Sequence, residues 1–387
     1  MFSRRSTNAF RLCLLVSGLI VLLLIGGCRQ KPQPPPPPKP EPPPQVSDID
    51  LRSYRPNEAG AVMVIMYHRI EAGKPNNDMN RTPEQFRSDL EDLYAEGYRP
   101  VTLREFAENT MDVPAGKTPV VITFDDSYLS QFRYLDQAGA EIDPQCAVGI
   151  MEDFARAHPD WKPKATFFIL HGGNNPPAFY QEGLTEMKFA HLLEIGCEIA
   201  SHSLTHRNFR RLSASEIEAD IAGSIRMIRE LAPNAEVTSL AIPYGNIPRN
   251  KAALAACQRG SAHGINYNLT AVALAAWRPT LSPITVVGKK APFAGQVAPG
   301  DMTRIERVLP NPRQATKAGT LEYYLKYFKE NPGMRYVSDG NPRVVAVPRG
   351  SKSLVDEAKV LAQGKRLQVY SLTPATSAAQ TGPEAAK

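Results

Sequence analysis

Short, continuous apolar runs recur along the first two thirds of the chain, and each run ends in polar side chains. Runs of this kind are typical of strands that are buried on both faces of a parallel sheet. They occupy residues 61–70, 118–124, 164–170, 197–206 and 237–245. The pattern therefore predicts a parallel sheet whose strands end at a common polar edge.

Helical periodicity separates these runs. Thr82 with Gln85, and Ser213 with Glu216, have the spacing of a capping box, in which two side chains satisfy the first turn of a helix. Apolar residues then recur at helical spacing after each cap, and residues 185–196 form a third segment of this type. Strands that alternate with helices predict an α/β fold with a parallel sheet, either open or closed into a barrel.

The polar edge collects groups that bind metal ions. Asp125 and Asp126 end one apolar run, and His202 and His206 lie at the end of another. Two adjacent carboxylates repel each other unless a cation lies nearby. Two histidines and one carboxylate form an open site for a divalent ion, with a position left for water. A pair of histidines alone is a weak indication, so the carboxylates decide the prediction: the ion takes one aspartate and keeps its neighbour ionised.

Residues 1–28 have the pattern of an export signal, with three arginines before an apolar run. The segment ends in "LIGGC", which resembles a bacterial lipobox and predicts a lipid on Cys28. The alternative is an uncleaved signal anchor. Residues 29–60 follow as a proline-rich linker, for which we expect an extended conformation. Together these segments predict a lipoprotein that is exported from the cytoplasm and anchored to a membrane of the bacterial cell envelope.

Net charge and cysteine spacing limit the binding partners, metal motifs and disulfide bonds that we expect. The formal net charge is +6, and three of these charges are arginines in residues 1–27, which leaves +3 after cleavage. So small an excess does not indicate a nucleic-acid partner. Cys146, Cys197 and Cys257 are widely spaced, so they form neither a CxxC metal motif nor a disulfide framework. One disulfide bond among them is compatible with an oxidising compartment.

Three motifs in one order resemble a known family. "TFDDS", "SHSLTH" and "AIPYG" resemble the polysaccharide deacetylases, the NodB-homology domains of carbohydrate esterase family 4. The resemblance extends from about residue 62 to about residue 310. "MYHRI", "KATFFI" and "RIERV" are similar to the branch that includes bacterial poly-N-acetylglucosamine deacetylases. The resemblance implies a distorted (β/α) barrel over residues 61–315. Residues 316–387 would then form a C-terminal extension with a disordered tail.

The same resemblance implies a reaction and a cofactor. The reaction is the removal of N-acetyl groups from an acetylated amino-sugar polysaccharide. The cofactor is a divalent metal, with zinc expected and cobalt, nickel or iron as alternatives. By position, Asp125 corresponds to the catalytic base, and Asp126, His202 and His206 correspond to the metal ligands. The family also implies that the backbone N–H of Tyr244 contacts the oxyanion.

The sequence departs from the family pattern at the residue that braces the base. Ala241 stands where an arginine usually begins the third motif, and Arg69, Arg278 and Arg304 are candidates to replace that arginine. A milder departure is Ser127, which replaces the glycine that usually follows the two aspartates.

The general acid is the third departure. The histidine motif that usually supplies it near the end of the domain is not recognisable. His68 is the better replacement because it ends an apolar run, and His263 is the next candidate. Pro243 and Tyr244 are expected to contact substrate, as the third motif does in the family.

Three functions are compatible with these residues. The first is a membrane-tethered N-deacetylase. The second is a catalytically weak deacetylase-like module that binds glycan, which the missing arginine and acid favour. The retained aspartates and histidines favour the enzyme, because binding alone needs no paired base. The third is hydrolysis of an amide in a substrate other than a sugar, which the same metal chemistry would serve.

We expect the mature protein to begin at a lipidated Cys28, because a short apolar run is followed there by small residues and a proline-rich linker. Mass spectrometry of protein extracted from membranes checks this. A peptide that still contains residues 1–27 would contradict it. Cys28→Ser should lose the lipid and leave metal affinity unchanged, since the tether lies outside the predicted barrel.

Overall fold

A computed structural model describes residues 48–73, 79–286, 300–311 and 317–371. The predicted export signal with Cys28, the first part of the proline-rich linker and the predicted disordered tail lie outside these residues. Within the ranges that are described, no helix is both long enough and apolar enough to cross a membrane.

The described strands form one large sheet and three small ones. Their bounds are β1 (Ala61–Tyr67), β2 (Arg69–Ile70), β3 (Asn80–Arg81), β4 (Tyr98–Val101), β5 (Thr118–Phe124), β6 (Thr166–Ile169), β7 (Glu198–Ser201), β8 (Ser239–Ala241), β9 (Arg259–Ala262), β10 (Ile265–Asn268), β11 (Ala271–Ala273), β12 (Thr280–Leu281), β13 (Val344–Pro348) and β14 (Arg366–Tyr370). The predicted run at 118–124 is β5 without change, whereas the strand predicted over 197–206 ends at Ser201 because the chain turns there.

Helices connect and cover the strands. Their bounds are α1 (Asp48–Tyr54), α2 (Pro83–Ala95), α3 (Leu103–Ala107), α4 (Ala147–Ala157), α5 (Thr185–Glu194), α6 (Ala214–Leu231), α7 (Lys251–Ala256), α8 (Leu321–Glu330) and α9 (Glu357–Ala362). Both predicted capping boxes are confirmed, at Thr82 before α2 and at Ser213 before α6.

The large sheet is mostly parallel, with the strand order β11-β8-β7-β6-β5-β1-β12 and β4 paired to β5. It curls into a half-barrel, and residues 305–308 bridge β1 and β11. Val308 pairs with Ile65 of β1, and Ile305 pairs with Ala273 of β11. The backbone N–H of Met66 donates to the Val308 carbonyl at 2.9 Å. The predicted distorted (β/α) barrel is therefore confirmed, and an irregular segment closes it.

Alternate residues of the buried strands serve two hydrophobic cores. Met63 and Ile65 of β1 pack into the cluster that includes α2, α4 and α6. Val62 and Val64 pack into a second cluster, which also contains Ala241. Burial on both faces explains the continuous apolar runs of the sequence.

The folded region extends beyond the predicted limits of 61 and 315. Leu51 of α1 packs against Val344, Ala346 and Tyr370. The Tyr370 hydroxyl donates to the Pro56 carbonyl at 2.9 Å. Residues 48–60 and 317–371 are therefore part of the fold, rather than linker and extension.

Three cysteines lie within the described ranges. Cys146, Cys197 and Cys257 are all buried and free, so no disulfide bond joins the cysteines of the described ranges.

Candidate metal centre and active site

The two adjacent aspartates follow β5 and have separate partners. Asp125 continues the strand direction and is buried. Asp126 and Ser127 then adopt left-handed backbone angles, with φ of 72° and 52°. The Ser127 hydroxyl accepts a hydrogen bond from the Leu170 backbone N–H at 3.0 Å, which holds the turn without the usual glycine. This turn lets the two carboxylates reach different neighbours.

A second turn brings the two histidines together. Ser203 and His206 have φ of 69° and 53°. The Ser203 hydroxyl accepts the His206 backbone N–H at 2.9 Å. Asp220 of α6, which is buried, accepts the backbone N–H groups of Leu204 at 2.6 Å and Thr205 at 3.2 Å. The two histidines of the H-x-x-x-H motif are therefore brought together by a hydrogen-bonded loop and not by one face of a helix.

Asp126, His202 and His206 meet at the sheet edge. Asp126 Oδ1 lies 3.3 Å from His202 Nε2 and 3.4 Å from His206 Nε2. Ligand atoms of all three residues lie within 4.8 Å of one another. The predicted ligand set is thus assembled in one place.

The donor chemistry of this group fits a divalent cation. His202 Nδ1 lies 2.9 Å from the Ala241 carbonyl, which can only accept, so Nδ1 carries the proton and Nε2 presents a lone pair. Asp126 Oδ1 is buried without a hydrogen-bond partner. Such an oxygen is costly to bury unless a cation or donor satisfies it. Two imidazole nitrogens and one carboxylate oxygen suit zinc and the neighbouring transition metals.

The electrostatic interactions of the three ligand residues also favour a bound cation. Burial opposes ionisation of Asp126, but His202, His68 and His206 together hold its pKa below the usual value. Burial also opposes the charged form of His202, but Asp125 and Asp126 raise its pKa above the usual value. Burial and the proximity of His202 lower the pKa of His206. The negative charge that attracts a proton to His202 would equally attract a divalent ion.

Asp125 is held by a buried arginine. Arg307 Nη1 donates to Asp125 Oδ1 at 2.7 Å, and Nη2 donates to Oδ2 at 2.8 Å. Arg307 Nε donates to the Leu274 carbonyl at 2.8 Å, and Nη1 also donates to the Thr123 hydroxyl at 3.1 Å. Burial opposes ionisation of Asp125, but Arg307 and His202 lower its pKa below the usual value. Arg307 thus favours the ionised form of Asp125 and fixes its orientation.

The prediction that Arg69, Arg278 or Arg304 replaces the missing brace was wrong. Each of these arginines pairs with another acidic residue: Arg69 at 2.8 Å, Arg278 at 3.3 Å and Arg304 at 3.7 Å. Arg307 takes the role because the barrel-closing segment carries it to Asp125. Arg307 also supplies the positive charge that keeps Asp125 ionised, which the sequence led us to expect from the metal ion. Its signal was weak: Arg307 is the second of two arginines in "RIERVLP" and directly follows a glutamate.

His68 is the remaining histidine at the site. It follows β1, and its Nε2 lies 3.9 Å from Asp125 Oδ2. Its Nδ1 is buried without a hydrogen-bond partner, and its side chain is 16% exposed. Burial lowers the pKa of His68, although Asp125 and Asp126 oppose this. His263, by contrast, lies exposed in the turn between β9 and β10 and makes no described contact with the site residues.

The third motif forms a short 3₁₀ turn, Pro243–Gly245, directly after β8. Pro243 is buried, whereas Tyr244 is 62% exposed and adopts φ of 60°. The Tyr244 ring lies 4.7 Å from the His206 ring. The structure thus places Tyr244 beside the metal centre, where the sequence expects it, and its contact with an oxyanion stays a prediction.

An aromatic stack that the sequence did not reveal lies close to Asp126. The Tyr128 and Tyr180 rings are stacked with centroids 6.1 Å apart, and the Arg69 guanidinium lies 3.8 Å over Tyr128. Burial and the Asp126 carboxylate raise the pKa of Tyr128. Phe179 donates its N–H to the Ser127 carbonyl at 2.8 Å, which ties this stack to the aspartate turn. Tyr180 is 45% exposed and offers a flat face beside the site.

Comparison with known proteins identifies the domain. Residues 112–260, which contain the two aspartates, both histidines and the third motif, match the sequence profile of the polysaccharide deacetylases. Over these residues the chain is similar to the polysaccharide deacetylases. Members of this family hydrolyse carbon–nitrogen bonds of N-acetyl groups and generally depend on a divalent metal.

Individual proteins that are similar to this chain share little sequence identity with it. YxkH of Bacillus subtilis (strain 168) is 22% identical over 183 residues, which is 47% of this chain and 56% of YxkH. The match thus spans about half the length of that relative. The Streptococcus pyogenes deacetylase PplD in complex with acetate aligns with a TM-score of 0.47 and 18% identity, over 69% of this chain and 97% of PplD. IcaB from Ammonifex degensii aligns with a TM-score of 0.43 and 18% identity, over 66% of this chain and 94% of IcaB.

We expect Asp126→Ala, His202→Ala and His206→Ala each to reduce bound metal from about one ion per chain to near background, because a three-ligand site seldom retains an ion on two ligands. Metal analysis of the purified variants checks this. His191→Ala is the matched control, since His191 pairs with Glu152 at 2.8 Å and not with the ligand group. Full metal occupancy in all three ligand variants would contradict the assignment.

Proposed function

We propose that this protein is a metal-dependent hydrolase that removes N-acetyl groups from an acetylated amino-sugar polysaccharide at the bacterial cell envelope. The observation that carries the proposal is the division of labour between the two adjacent aspartates. Asp126 faces His202 and His206, whereas Asp125 is paired with Arg307. Metal binding alone requires only the first arrangement, and the second supplies an ionised base beside it.

Hydrolysis of the amide follows from these positions. A divalent ion held by Asp126, His202 and His206 would act as a Lewis acid toward the acetamide and would lower the pKa of water. Asp125 accepts a proton from the attacking water, because its Oδ2 lies within 4.0 Å of His202 Nε2 and 3.9 Å of His68 Nε2 and so faces the site. Each carboxylate oxygen has a second lone pair beyond its bond to Arg307.

The leaving group then needs a proton. The hydroxyl of water joins the acetyl carbon, the carbon–nitrogen bond breaks, and the sugar nitrogen leaves as an amine. We assign the donor role to His68, since it is the histidine nearest the base that the ligand group leaves unused. The Tyr244 backbone N–H is assigned to the oxyanion, as preorganised backbone donors act in acyl transfer.

Exposed aromatic rings support a sugar substrate over another amide. Tyr244 lies beside His206, Tyr180 stacks on Tyr128, and the two rings are 62% and 45% exposed. A pyranose ring has one apolar face, and aromatic side chains offer a large apolar surface with a polar tip. Exposed rings of this kind near the site residues are therefore suited to pack against sugar rings.

The binding-module alternative loses part of its support. It was favoured by the missing arginine of the third motif, and Arg307 fills that role through a bidentate contact. A protein that only bound glycan would have no use for an ionised carboxylate oriented in this way.

The proposed location rests on the N-terminal sequence alone. The export pattern of residues 1–28 and the lipobox-like "LIGGC" support a lipid tether at Cys28. The folded domain would then encounter the polysaccharide close to a membrane surface. The proline-rich linker would separate this domain from the lipid anchor.

Acetate release tests the function. The protein is assayed on a panel of acetylated glycans, which includes oligomers of N-acetylglucosamine, with bound metal measured in parallel. Asp125→Asn should lower turnover by about 100-fold or more, the usual scale for a positioned base, and should keep its metal. Its melting temperature should fall, because Arg307 loses its counter-ion. Parent-like turnover in Asp125→Asn would show that the base is another group, and a parent that binds glycan without releasing acetate would support the binding module.

The acid role of His68 has its own test. His68→Ala should lower turnover by about 100-fold or more while metal content and melting temperature stay near those of the parent. His263→Ala is the control, since it removes the other candidate histidine from an exposed turn. Loss of metal or of folding in His68→Ala would assign His68 a structural role instead.

A further inference from the structure

A groove leads away from the metal centre along two loops. It has a volume of about 570 Å³ and is lined by His206, Arg207, Asn208, Arg211, Leu212, Tyr244 and Asn246. One wall is the loop after β7, and the other is the turn after β8. Volumes of this order accommodate a small ligand or a few sugar units. Because His206 and Tyr244 also border the metal centre, whatever occupies the groove is adjacent to the reacting group.

The first wall is strongly basic. Three arginines, Arg207, Arg210 and Arg211, occur within five residues. Arg207 is neutralised locally, since it lies 3.3 Å from Glu216 and 3.7 Å from Asp220. Among the residues that the structure describes, the guanidinium groups of the other two make no hydrogen bond or ion pair.

The fold fixes the backbone that carries Arg210 and Arg211. Phe209 is fully buried and anchors the 3₁₀ turn Phe209–Arg211 in the core. The Asn208 side chain accepts the Arg210 backbone N–H at 3.1 Å and caps the same turn. The Arg211 backbone N–H donates to the Asn208 carbonyl at 3.0 Å. An exposed cation that lines a groove from an anchored turn is preorganised for an anionic ligand.

We propose that the substrate polymer is anionic, and that a carboxylate or phosphate on a sugar next to the acetylated one binds Arg211 in this groove. The proposal rests on the proposed deacetylase function and adds a substrate class to it. A guanidinium binds carboxylate and phosphate groups through two parallel hydrogen bonds, and it loses little solvation in doing so. A neutral polymer of acetylated sugars would leave Arg211 without a counter-charge.

The test compares the full-length protein on three acetylated oligosaccharides. One is a neutral N-acetylglucosamine oligomer, the second alternates N-acetylglucosamine with glucuronate, and the third carries phosphate. We expect kcat/KM to be about tenfold higher for one of the anionic substrates than for the neutral one, the scale of one charged hydrogen-bonded contact. Added salt should reduce the ratio. The better anionic substrate identifies carboxylate or phosphate as the source of the charge.

Arg211→Gln should lower the ratio of anionic to neutral kcat/KM by about tenfold, and Arg211→Lys should restore part of it because charge returns without the bidentate geometry. Arg229→Gln is the matched control. Arg229 is likewise exposed, but it lies in the last turn of α6, on the order of 20 Å along the helix from its first residue. It should leave the ratio at the parent's value. Metal content is measured in every variant.

Two outcomes overturn the proposal. One is equal kcat/KM on the neutral and anionic substrates, and the other is a preference that Arg211→Gln leaves intact. If no oligosaccharide releases acetate, the proposed function fails separately. Calorimetric binding of the same three oligosaccharides then decides the groove's ligand: a preference for an anionic oligosaccharide that Arg211→Gln removes supports it, and equal affinities contradict it.

Discussion

The buried ion pair between Asp125 and Arg307 connects the barrel to its chemistry. Both side chains are almost fully buried, and the pair is bidentate. Removing one partner of such a pair costs about 3–5 kcal/mol, because a buried charge is left uncompensated. Arg307 comes from the segment that bridges β1 and β11. The same segment therefore closes the barrel and keeps the base ionised. A chain that failed to close at residues 305–308 would lose both.

Backbone strain is concentrated where the chemistry is. Left-handed φ values at non-glycine residues occur in the aspartate turn, the histidine loop, the aromatic stack and the third motif, including Asp126, His206, Tyr180 and Tyr244. Each such residue costs on the order of 1–3 kcal/mol and persists only when its surroundings determine it. Asp220 provides part of that compensation by accepting two backbone N–H groups of the histidine loop. The barrel thus stabilises a set of turns that would not form alone.

The sequence predicted what is periodic or local, and it missed what depends on three-dimensional closure. Apolar runs and capping boxes are local signals, so β5 and the starts of α2 and α6 were predicted correctly. The metal group was predictable because strands of a parallel sheet deliver their ends to one edge. Arg307 lies in a segment without regular periodicity, which pairs with strands more than thirty residues away. Likewise, α1 is short, and only its contact with β13 and β14 reveals that it belongs to the fold.

The different origins of the two counter-charges explain how adjacent aspartates can have different roles. Arg307 belongs to the chain, so Asp125 keeps its compensating charge whatever the solution contains. The compensating charge of Asp126 would come from solution as a metal ion, with His202 and His206 as neutral co-ligands. Like carboxylates at short distance raise each other's pKa unless a cation intervenes. With a metal ion bound, each carboxylate would have its own cation, and the left-handed turn at Asp126 and Ser127 separates their partners. Both can therefore be ionised at neutral pH, which a base next to a metal ligand requires.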